Sequence, residues 1–430
     1  MKLSFSVAIV ISLLPELTAF GQGSLNPPAA PTPTMKSLDQ VKAGTPIGSA
    51  PYTISSPGSY FLTSNLTVSS GNAITISTNG VTLDLNGFTI TSTSSTASGN
   101  GIYLSNVEDV TILNGHITGG VTYNGSSFST GPGFQSGIIW QFPGNNPVNV
   151  HVSGVTISGI TATGIELGSE YSNVVDHCTV RTAGGQGIRA GVVDTCTAYQ
   201  CGSNAINSVT ASNCYGVAVS SGYGVFTYTA LNCWGVSASG HGIDALTAAC
   251  CYGTSTSGFG LSANNAINCY GSSNSSYGLN ALETNNCYGI SSSNVGLYVT
   301  DNALNSHGET SSGNYGLEYP LNASNCSGKN GGSATYDTGL LAFNVINCRG
   351  DCSGPGTGLN SQTSAMNSWG VATGSGIGAS CITIAIGCGG YSTGTTALGL
   401  TAYIGNSCIG ENSSGIGGAA ETVTYKYNMP

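Results

Sequence analysis

The sequence predicts an all-β protein folded as a parallel β-solenoid, in which coils of 18–22 residues stack along one axis. Three observations lead to this fold class. A motif returns every 18–22 residues from about residue 175 onward, shorter stretches before it alternate apolar and polar residues, and Gly supplies 65 of the 430 residues. Each unit is too short to bury a core alone, so stacked units must share one continuous core.

The N-terminus has the order of features that marks a signal peptide. Lys2 supplies a positive charge, residues 7–14 form an apolar run, and Ala19-Phe20-Gly21 offers a cleavage site with small residues. We therefore expect residues 1–21 to direct export, which places the mature protein in the periplasm, at the cell surface or outside the cell. No later run approaches the roughly 20 apolar residues of a membrane span.

Residues 22–50 are predicted to be a linker followed by a cap. The first part, 22–34, is rich in Pro. The second part, 35–42, places Met35, Leu38 and Val41 on one helical face, and a short capping helix would close the open end of the solenoid. Residues 51–430 are then predicted to form the solenoid itself, with an inserted loop at 119–148.

Short strands with period-two alternation appear first between residues 60 and 117. Residues 74–76, 81–85 and 110–112 are the clearest examples. Asn79-Gly80 and Asn86-Gly87 separate them at expected turns.

The repeat itself is carried by cysteine. Neighbouring members are 18 or 19 residues apart through Cys287, and the steps then lengthen to 19–22. Many units contain Asn-Cys-aromatic-Gly, followed by a Ser-rich stretch and a Gly before Leu or Ile. The registered positions are Cys178, Cys196, Cys214, Cys233, Cys251, Cys269, Cys287, Ser306, Cys326, Cys348, Ser368, Cys388 and Cys408. Stacked Asn residues are expected to hydrogen-bond along the axis.

The registered cysteines are expected to be buried, reduced thiols. Neighbouring parallel strands hold Cβ atoms about 4.8 Å apart, whereas a disulfide favours about 3.5–4.5 Å. A free Cys behaves as a small buried hydrophobe. The cysteines outside the register, Cys201, Cys250, Cys352 and Cys381, are the better disulfide candidates. Zinc-ligand spacing is missing, so no metal is expected.

Taken together, these segments resemble the right-handed parallel β-helix, or pectin-lyase-like, superfamily over about residues 51–427. The resemblance is most specific in residues 80–90 and next in 174–180. The N-terminal stretch is also similar to uncharacterised exported bacterial β-helix proteins. The resemblance implies a single-stranded right-handed β-helix. A left-handed triangular β-helix also has 18-residue coils, but it needs an apolar residue every six positions, which this chain lacks.

Superfamily membership does not select a function, because pectate lyases, polygalacturonases, phage tailspikes and adhesins share the fold. Polygalacturonases resemble this chain only in Gly240-His241-Gly242, and their other motifs have no counterpart. His241 therefore receives no catalytic role. A calcium-binding Asp pair of the pectate-lyase kind is also missing.

An inward-facing Cys column places its neighbours in sequence on the outside. These neighbours are expected to form an exposed aromatic column that contacts sugar rings, or alternatively to stack on one another as part of the fold. The glycan-binding candidates are Tyr215, Trp234, Tyr252, Tyr270 and Tyr288, with Trp140 from the inserted loop.

A cluster of ionisable residues offers the alternative, an enzymatic site. It lies between Glu166 and Asp194 in a chain with only 6% charged residues. Glycoside hydrolysis needs two carboxylates at a defined separation. The catalytic candidates are Glu166, Glu170, Asp176, His177, Arg181 and Arg189. The competing interpretation is that these are solvated charges on outer turns.

Two functional hypotheses follow. The first is a secreted or cell-envelope protein with a structural, adhesive or glycan-binding role and no catalysis. The second is a polysaccharide lyase or glycoside hydrolase with its site near Glu166–Asp194. The formal net charge of −10 leaves no basic surface for nucleic acid, and no phosphate-binding loop or other cofactor motif is present. Polysaccharide, a cell-surface glycan or a second copy of the chain are the expected partners.

Overall fold

The structure, a computed structural model, describes residues 44–141, 144–395 and 397–413 and the backbone of 421–427. Every regular element in these ranges is a β-strand. The expected signal peptide and capping helix lie outside the described residues.

The N-terminal strands are β1 (Thr45–Ile47), β2 (Tyr52–Ile54), β3 (Gly58–Leu62), β4 (Leu66–Val68), β5 (Ile74–Ile76), β6 (Val81–Asp84), β7 (Thr89–Ser92), β8 (Asn100–Leu104), β9 (Glu108–Thr118), β10 (Ser136–Trp140), β11 (Val148–Ile160), β12 (Ile165–Glu166), β13 (Val174–Asp176) and β14 (Thr179–Ala183). The central strands are β15 (Ile188–Asp194), β16 (Thr197–Cys201), β17 (Ile206–Ser212), β18 (Tyr215–Ala218), β19 (Val225–Phe226), β20 (Thr229–Leu231), β21 (Trp234–Ser237), β22 (Ile243–Asp244), β23 (Thr247–Ala249), β24 (Tyr252–Ser255), β25 (Leu261–Ile267), β26 (Tyr270–Ser273), β27 (Leu279–Asn285) and β28 (Tyr288–Ser291). The C-terminal strands are β29 (Leu297–Leu304), β30 (His307–Thr310), β31 (Tyr315–Glu318), β32 (Asn322–Ser324), β33 (Ser327–Asn330), β34 (Thr338–Ile346), β35 (Arg349–Cys352), β36 (Thr357–Met366), β37 (Trp369–Ala372), β38 (Ile377–Ile386), β39 (Gly389–Ser392), β40 (Leu400–Asn406), β41 (Ile409–Asn412) and β42 (Glu421–Tyr427).

The strands form a parallel β-solenoid of about eighteen turns, which confirms the predicted fold class. Each strand pairs in parallel with strands one coil away, as β22 does with β25 and β25 with β27. Repeated pairing places equivalent residues in columns along the axis. Tyr252, for example, is in register with Tyr270.

One coil shows how the sequence sets its cross-section. In the coil that begins at Ile243, β22, β23 and β24 make three successive short faces. We call the face that contains β18, β21, β24, β26, β28, β30, β33, β35, β37, β39 and β41 the third face. Along β24 the pattern alternates, with Tyr252 exposed, Gly253 buried and Ser255 buried. This is the period-two alternation of a strand with one side in the core.

The interior is filled by columns of like residues. Fourteen of the fifteen cysteines are buried, including every one in the predicted register, and none is disulfide-bonded. The thiols donate hydrogen bonds to carbonyls, as Cys251 Sγ does to Ala249 O at 3.2 Å. The expectation of buried, unpaired ladder cysteines is therefore confirmed.

The disulfide expectation for the off-register cysteines is wrong. All four are free; Cys201, Cys352 and Cys381 are buried, and Cys250 is exposed. Cys201 lies in β16, Cys352 in β35 and Cys381 in β38, on strands that belong to well-separated coils. Each thiol therefore occupies its own place in the stack rather than facing a partner.

Asn is selected at one corner of the coil by backbone geometry. The residue immediately before the Cys position has φ near 50°, as in Asn232 (51°) and Asn268 (54°). Asn tolerates this left-handed region better than most residues with a Cβ. The amides also bond along the axis, with Asn286 Nδ2 donating to Asn268 Oδ1 at 2.8 Å. This is the predicted Asn ladder.

Candidate functional site

Five aromatic side chains project outward from successive coils of the third face. We call this set the ring column: Tyr215, Trp234, Tyr252, Tyr270 and Tyr288. The cysteine that precedes each ring is buried, whereas Trp234 is 49% exposed and Tyr252 is 38% exposed. The column lies where the sequence placed it, because the inward Cys fixes the opposite orientation of the next residue.

The rings contact one another, and this limits which surfaces face solvent. Tyr252 and Tyr270 stack with centroids 4.5 Å apart and planes within 2° of parallel. Each ring therefore covers one face of the other. Trp234 instead makes edge contacts, at 73° to Tyr215 and 72° to Tyr252. Neither neighbour stacks face to face on the Trp234 indole, which is the broadest exposed ring of the column.

The C-terminal end of the ring column meets a charged network. His307 stacks on Tyr288 with centroids 5.0 Å apart. The Tyr288 hydroxyl donates to Glu309 Oε2 at 2.8 Å, and Lys329 Nζ lies 2.6 Å from Glu309 Oε1. Burial, together with the Glu309 carboxylate, raises the pKa of Tyr288 to about 12. This end of the column is therefore fixed by hydrogen bonds.

The Asn ladder runs beside the ring column, because each corner Asn lies two residues before a ring. Asn232 and Asn268 are both exposed. Their amides offer donors and acceptors at the spacing of the coils, which is about 4.8 Å. The third face therefore combines apolar rings with a parallel row of neutral hydrogen-bonding groups.

The predicted ionisable cluster is divided by the structure into separate groups. Glu166 and Arg189 are register partners, with Glu166 Oε1 3.4 Å from Arg189 Nη1. The Glu166 side chain is 13% exposed. Burial raises its pKa, while Arg189 and hydrogen bonds from Gly168 and Trp140 act in the opposite direction. These residues line a cleft of about 480 Å³.

Asp176 belongs to a different group. His151 Nε2 lies 3.0 Å and His177 Nδ1 3.4 Å from its carboxylate, and Asp194 is its register partner. Hydrogen bonds from Ser153 and the two imidazoles outweigh desolvation and lower the pKa of Asp176. Hydrogen bonds from Ser212, Thr195 and Asn213 lower the pKa of Asp194.

The expected convergence of two carboxylates in one groove is not found among the described residues. Glu166 pairs with Arg189 near the start of β15, whereas Asp176 pairs with Asp194 at its end. Glu170 and Arg181 are exposed and line no part of the Glu166 cleft. Glu166 is the one carboxylate among the residues described around that cleft.

The inserted loop also differs from its expected extent. Strand β10 lies inside residues 119–148, but it pairs with β8 and β12 and continues the solenoid. Phe134 is fully buried and Trp140 is 8% exposed. Trp140 therefore contacts Glu166 from the wall of the cleft rather than projecting as a surface ring.

A second row of rings was missed by the sequence reasoning. Tyr223, His241, Phe259, Tyr277 and Tyr298 stack with centroids 4.5–5.1 Å apart and planes within 11° of parallel. The signal was present, since the middle residue of successive Gly-x-Gly motifs is aromatic or His. His241 belongs to this stack, and its Nδ1 accepts a hydrogen bond from Phe259 N–H at 2.9 Å. Burial lowers the pKa of His241.

Two further observations concern the described part of the chain. It contains no helix of the length and apolar character that crossing a bilayer requires. Its His, Cys, Asp and Glu side chains form no group of three with the placement of a metal site. Neither a protein-family model nor a curated protein sequence matches the chain.

Proposed function

We propose that this chain is an exported, non-catalytic β-solenoid that binds polysaccharide along its third face. The observation that supports this most is the ring column with the Asn ladder beside it. The same proposal includes a right-handed coil of the pectin-lyase-like kind, which rests on the resemblance of residues 80–90 and 174–180. Export rests on the signal-peptide pattern of residues 1–21.

The chemistry of the third face suits a long, uncharged sugar chain. The apolar faces of sugar rings pack against aromatic side chains, and the Trp234 indole is open to such a contact. Asn232 and Asn268 can hydrogen-bond to hydroxyl groups. Because coils repeat every 4.8 Å or so, equivalent groups recur at about the length of one sugar ring in an extended chain.

The low charge of the chain points to a neutral polysaccharide. Only 6% of residues are charged and the net charge is −10, so an acidic polymer would meet repulsion without a compensating basic surface. An adhesive or purely structural role uses the same face, with a second copy of the chain in place of the glycan.

An enzymatic role has less support from the geometry. A hydrolase would need a second carboxylate beside Glu166, and the described cleft residues supply Arg189 instead. The raised pKa of Glu166 is the feature that keeps the lyase or hydrolase alternative worth testing.

The test compares the wild-type protein with the Trp234→Ala, Tyr252→Ala, Tyr270→Ala triple variant. A panel of plant and microbial polysaccharides is screened for binding and for released product. At about 1 kcal/mol per ring contact, loss of three rings lowers affinity roughly a hundredfold. The control carries Tyr171→Ala and Tyr228→Ala, which remove two exposed rings outside the column.

Each outcome has a definite meaning. Weaker polysaccharide binding in the triple variant alone supports the proposal. Equal binding in all three proteins overturns it and leaves the rings as a stacking device of the fold. Loss of self-association without any glycan binding assigns the face to a second copy, and product release that depends on Glu166 establishes the enzyme.

A further inference from the structure

A second candidate site lies away from the ring column, where the repeat is interrupted. The step from Cys326 to Cys348 is 22 residues instead of 18. Some of the added residues form a loop at 331–337, which rises beside β31, β34 and β36. A pocket of about 530 Å³ lies between this loop and the strands, within the usual size of small-molecule sites. Its lining residues are Tyr315, Tyr319, Thr335, Tyr336, Thr338, Leu341, Ala342, Phe343, Thr357, Asn360 and Gln362.

The loop that forms one wall is held in place by buried polar side chains. Asn330 is fully buried, donates to Gly313 O at 2.9 Å and accepts from Gly332 N–H at 2.7 Å. Asp337 is 2% exposed and accepts from Ala334 N–H at 2.7 Å. The pocket wall is thus fixed before any ligand arrives, which reduces the ordering cost of binding.

The lining has the chemistry of a site for a neutral, hydroxyl-rich ring. It combines four aromatic rings with hydroxyl and amide groups, and the described lining holds no charged side chain. Gln362 Nε2 donates to Asn360 Oδ1 at 3.1 Å. That bond leaves the Asn360 Nδ2 donor and the Gln362 Oε1 acceptor directed to neighbouring groups such as ligand hydroxyls.

Tyr319 carries an independent sign of function. Its φ is +71°, and it is the one aromatic residue with positive φ among the described residues. A bulky side chain in the left-handed region is strained, and such strain clusters at ligand sites. Tyr319 is nevertheless 46% exposed, so burial of its ring in the core does not explain the strained backbone.

Tyr319 also connects the pocket to the second row of rings. Its ring centroid lies 6.2 Å from that of Tyr298, with the planes tilted by 57°. Up to Tyr298 the rings of that row stack nearly parallel. The tilt ends the stack at the pocket and turns the Tyr319 ring away from face-to-face contact with Tyr298.

We propose that the Tyr319 pocket binds a single uncharged sugar ring, either a free saccharide or the end of a chain. The site is separate from the ring column and does not depend on polysaccharide binding there. Tyr319 supplies an aromatic face, Tyr336 covers the ring from the loop, and Asn360 and Gln362 bind its hydroxyls.

The experiment measures binding of neutral mono- and disaccharides by calorimetry and saturation-transfer NMR, with glucuronic acid as an acidic probe. The decisive variant is Tyr319→Asn. Asn adopts the left-handed backbone more readily, so the thermal midpoint is expected to stay equal or rise while affinity falls at least tenfold. Tyr336→Ala removes a side chain that is 86% exposed and tests the loop wall without risk to the core.

The ring-column triple variant serves as the matched control and is expected to bind these small saccharides as the wild type does. Wild-type affinity in both Tyr319→Asn and Tyr336→Ala overturns the proposal, as does a lack of saccharide binding by the wild type. Loss of saccharide binding in the triple variant alone would place the small-sugar site on the third face and also overturn it. Preference for glucuronic acid contradicts the neutral-ligand assignment.

Discussion

The indole ring of Trp369 lies over the backbone of Gly389, its register partner one coil further along the third face. A Cβ placed on Gly389 would lie 1.9 Å from Trp369 Cζ3. Gly271 occupies the inward side of the same face, and its Cβ would lie 2.2 Å from the Gly278 carbonyl oxygen. One glycine therefore makes room for a mobile surface ring, and the other for close approach of two backbone segments.

These two glycines are expected to respond very differently to Ala. Gly389→Ala displaces the exposed Trp369 ring and costs less than about 1 kcal/mol, with a change in tryptophan fluorescence. Gly271→Ala forces backbone segments apart and costs about 2 kcal/mol or more. Denaturant unfolding of both variants measures the difference. Equal costs would show that backbone contact across the coil is not what requires Gly271.

The cysteines are expected to divide into one reactive thiol and fourteen protected ones. Cys250 is the exposed member, and the other fourteen are buried without disulfides. Burial raises the pKa of Cys201 to about 12, which suppresses its thiolate form. Thiol titration of the native protein should give one equivalent, lost in Cys250→Ser, and about fifteen after denaturation without reductant. One thiol or none in the denatured protein would contradict the free-cysteine column.

The adjacent pair Cys250 and Cys251 offers a direct test of which way the column faces. Cys251→Asp places a carboxyl in the core, where it must stay protonated or remain unpaired, at a cost of about 3 kcal/mol or more. Cys250→Asp is the control, because this exposed corner has φ of 55° and Asp accepts the left-handed region. A thermal midpoint unchanged by Cys251→Asp would mean that the column faces solvent.

The sequence was sufficient for the parts of the molecule that depend on period alone. A step of 18 residues places Cys251 and Cys269 in one buried column, and alternation then puts Tyr252 and Tyr270 outside. Ring orientation was not predictable, because the 2° stack of those tyrosines depends on side-chain rotamers. The ionisable cluster was misjudged because closeness in sequence does not give closeness across a corner. Glu166 and Asp176 pair with opposite ends of β15.

The Tyr319 pocket could not be predicted for a similar reason. The 22-residue step between Cys326 and Cys348 shows that residues were added. It does not show that Asn330 and Asp337 hold the added loop upright. That arrangement depends on contacts with the preceding coil, such as the bond from Asn330 to Gly313.

Glu318 beside this pocket is expected to make the stability of the solenoid depend on pH. Its side chain is 7% exposed, and among the described residues it makes no hydrogen bond or ion pair. Burial raises the pKa of Glu318 to about 7, against about 4.3 in an unfolded chain. The folded state therefore holds the proton more tightly. Its stabilising contribution is complete below pH 4 or so and is lost as pH rises toward 7.

The Glu318→Gln variant removes this titration while keeping the shape of the side chain. Relative to wild type, its unfolding free energy should increase by about 3 kcal/mol between pH 4 and pH 8, since each pKa unit corresponds to about 1.4 kcal/mol. The exposed Glu170→Gln serves as the control and should show little change over that range. Denaturant unfolding at several pH values measures the effect. Parallel stability curves for wild type and Glu318→Gln would show that the Glu318 carboxyl ionises normally and finds solvent or a counter-ion in the fold.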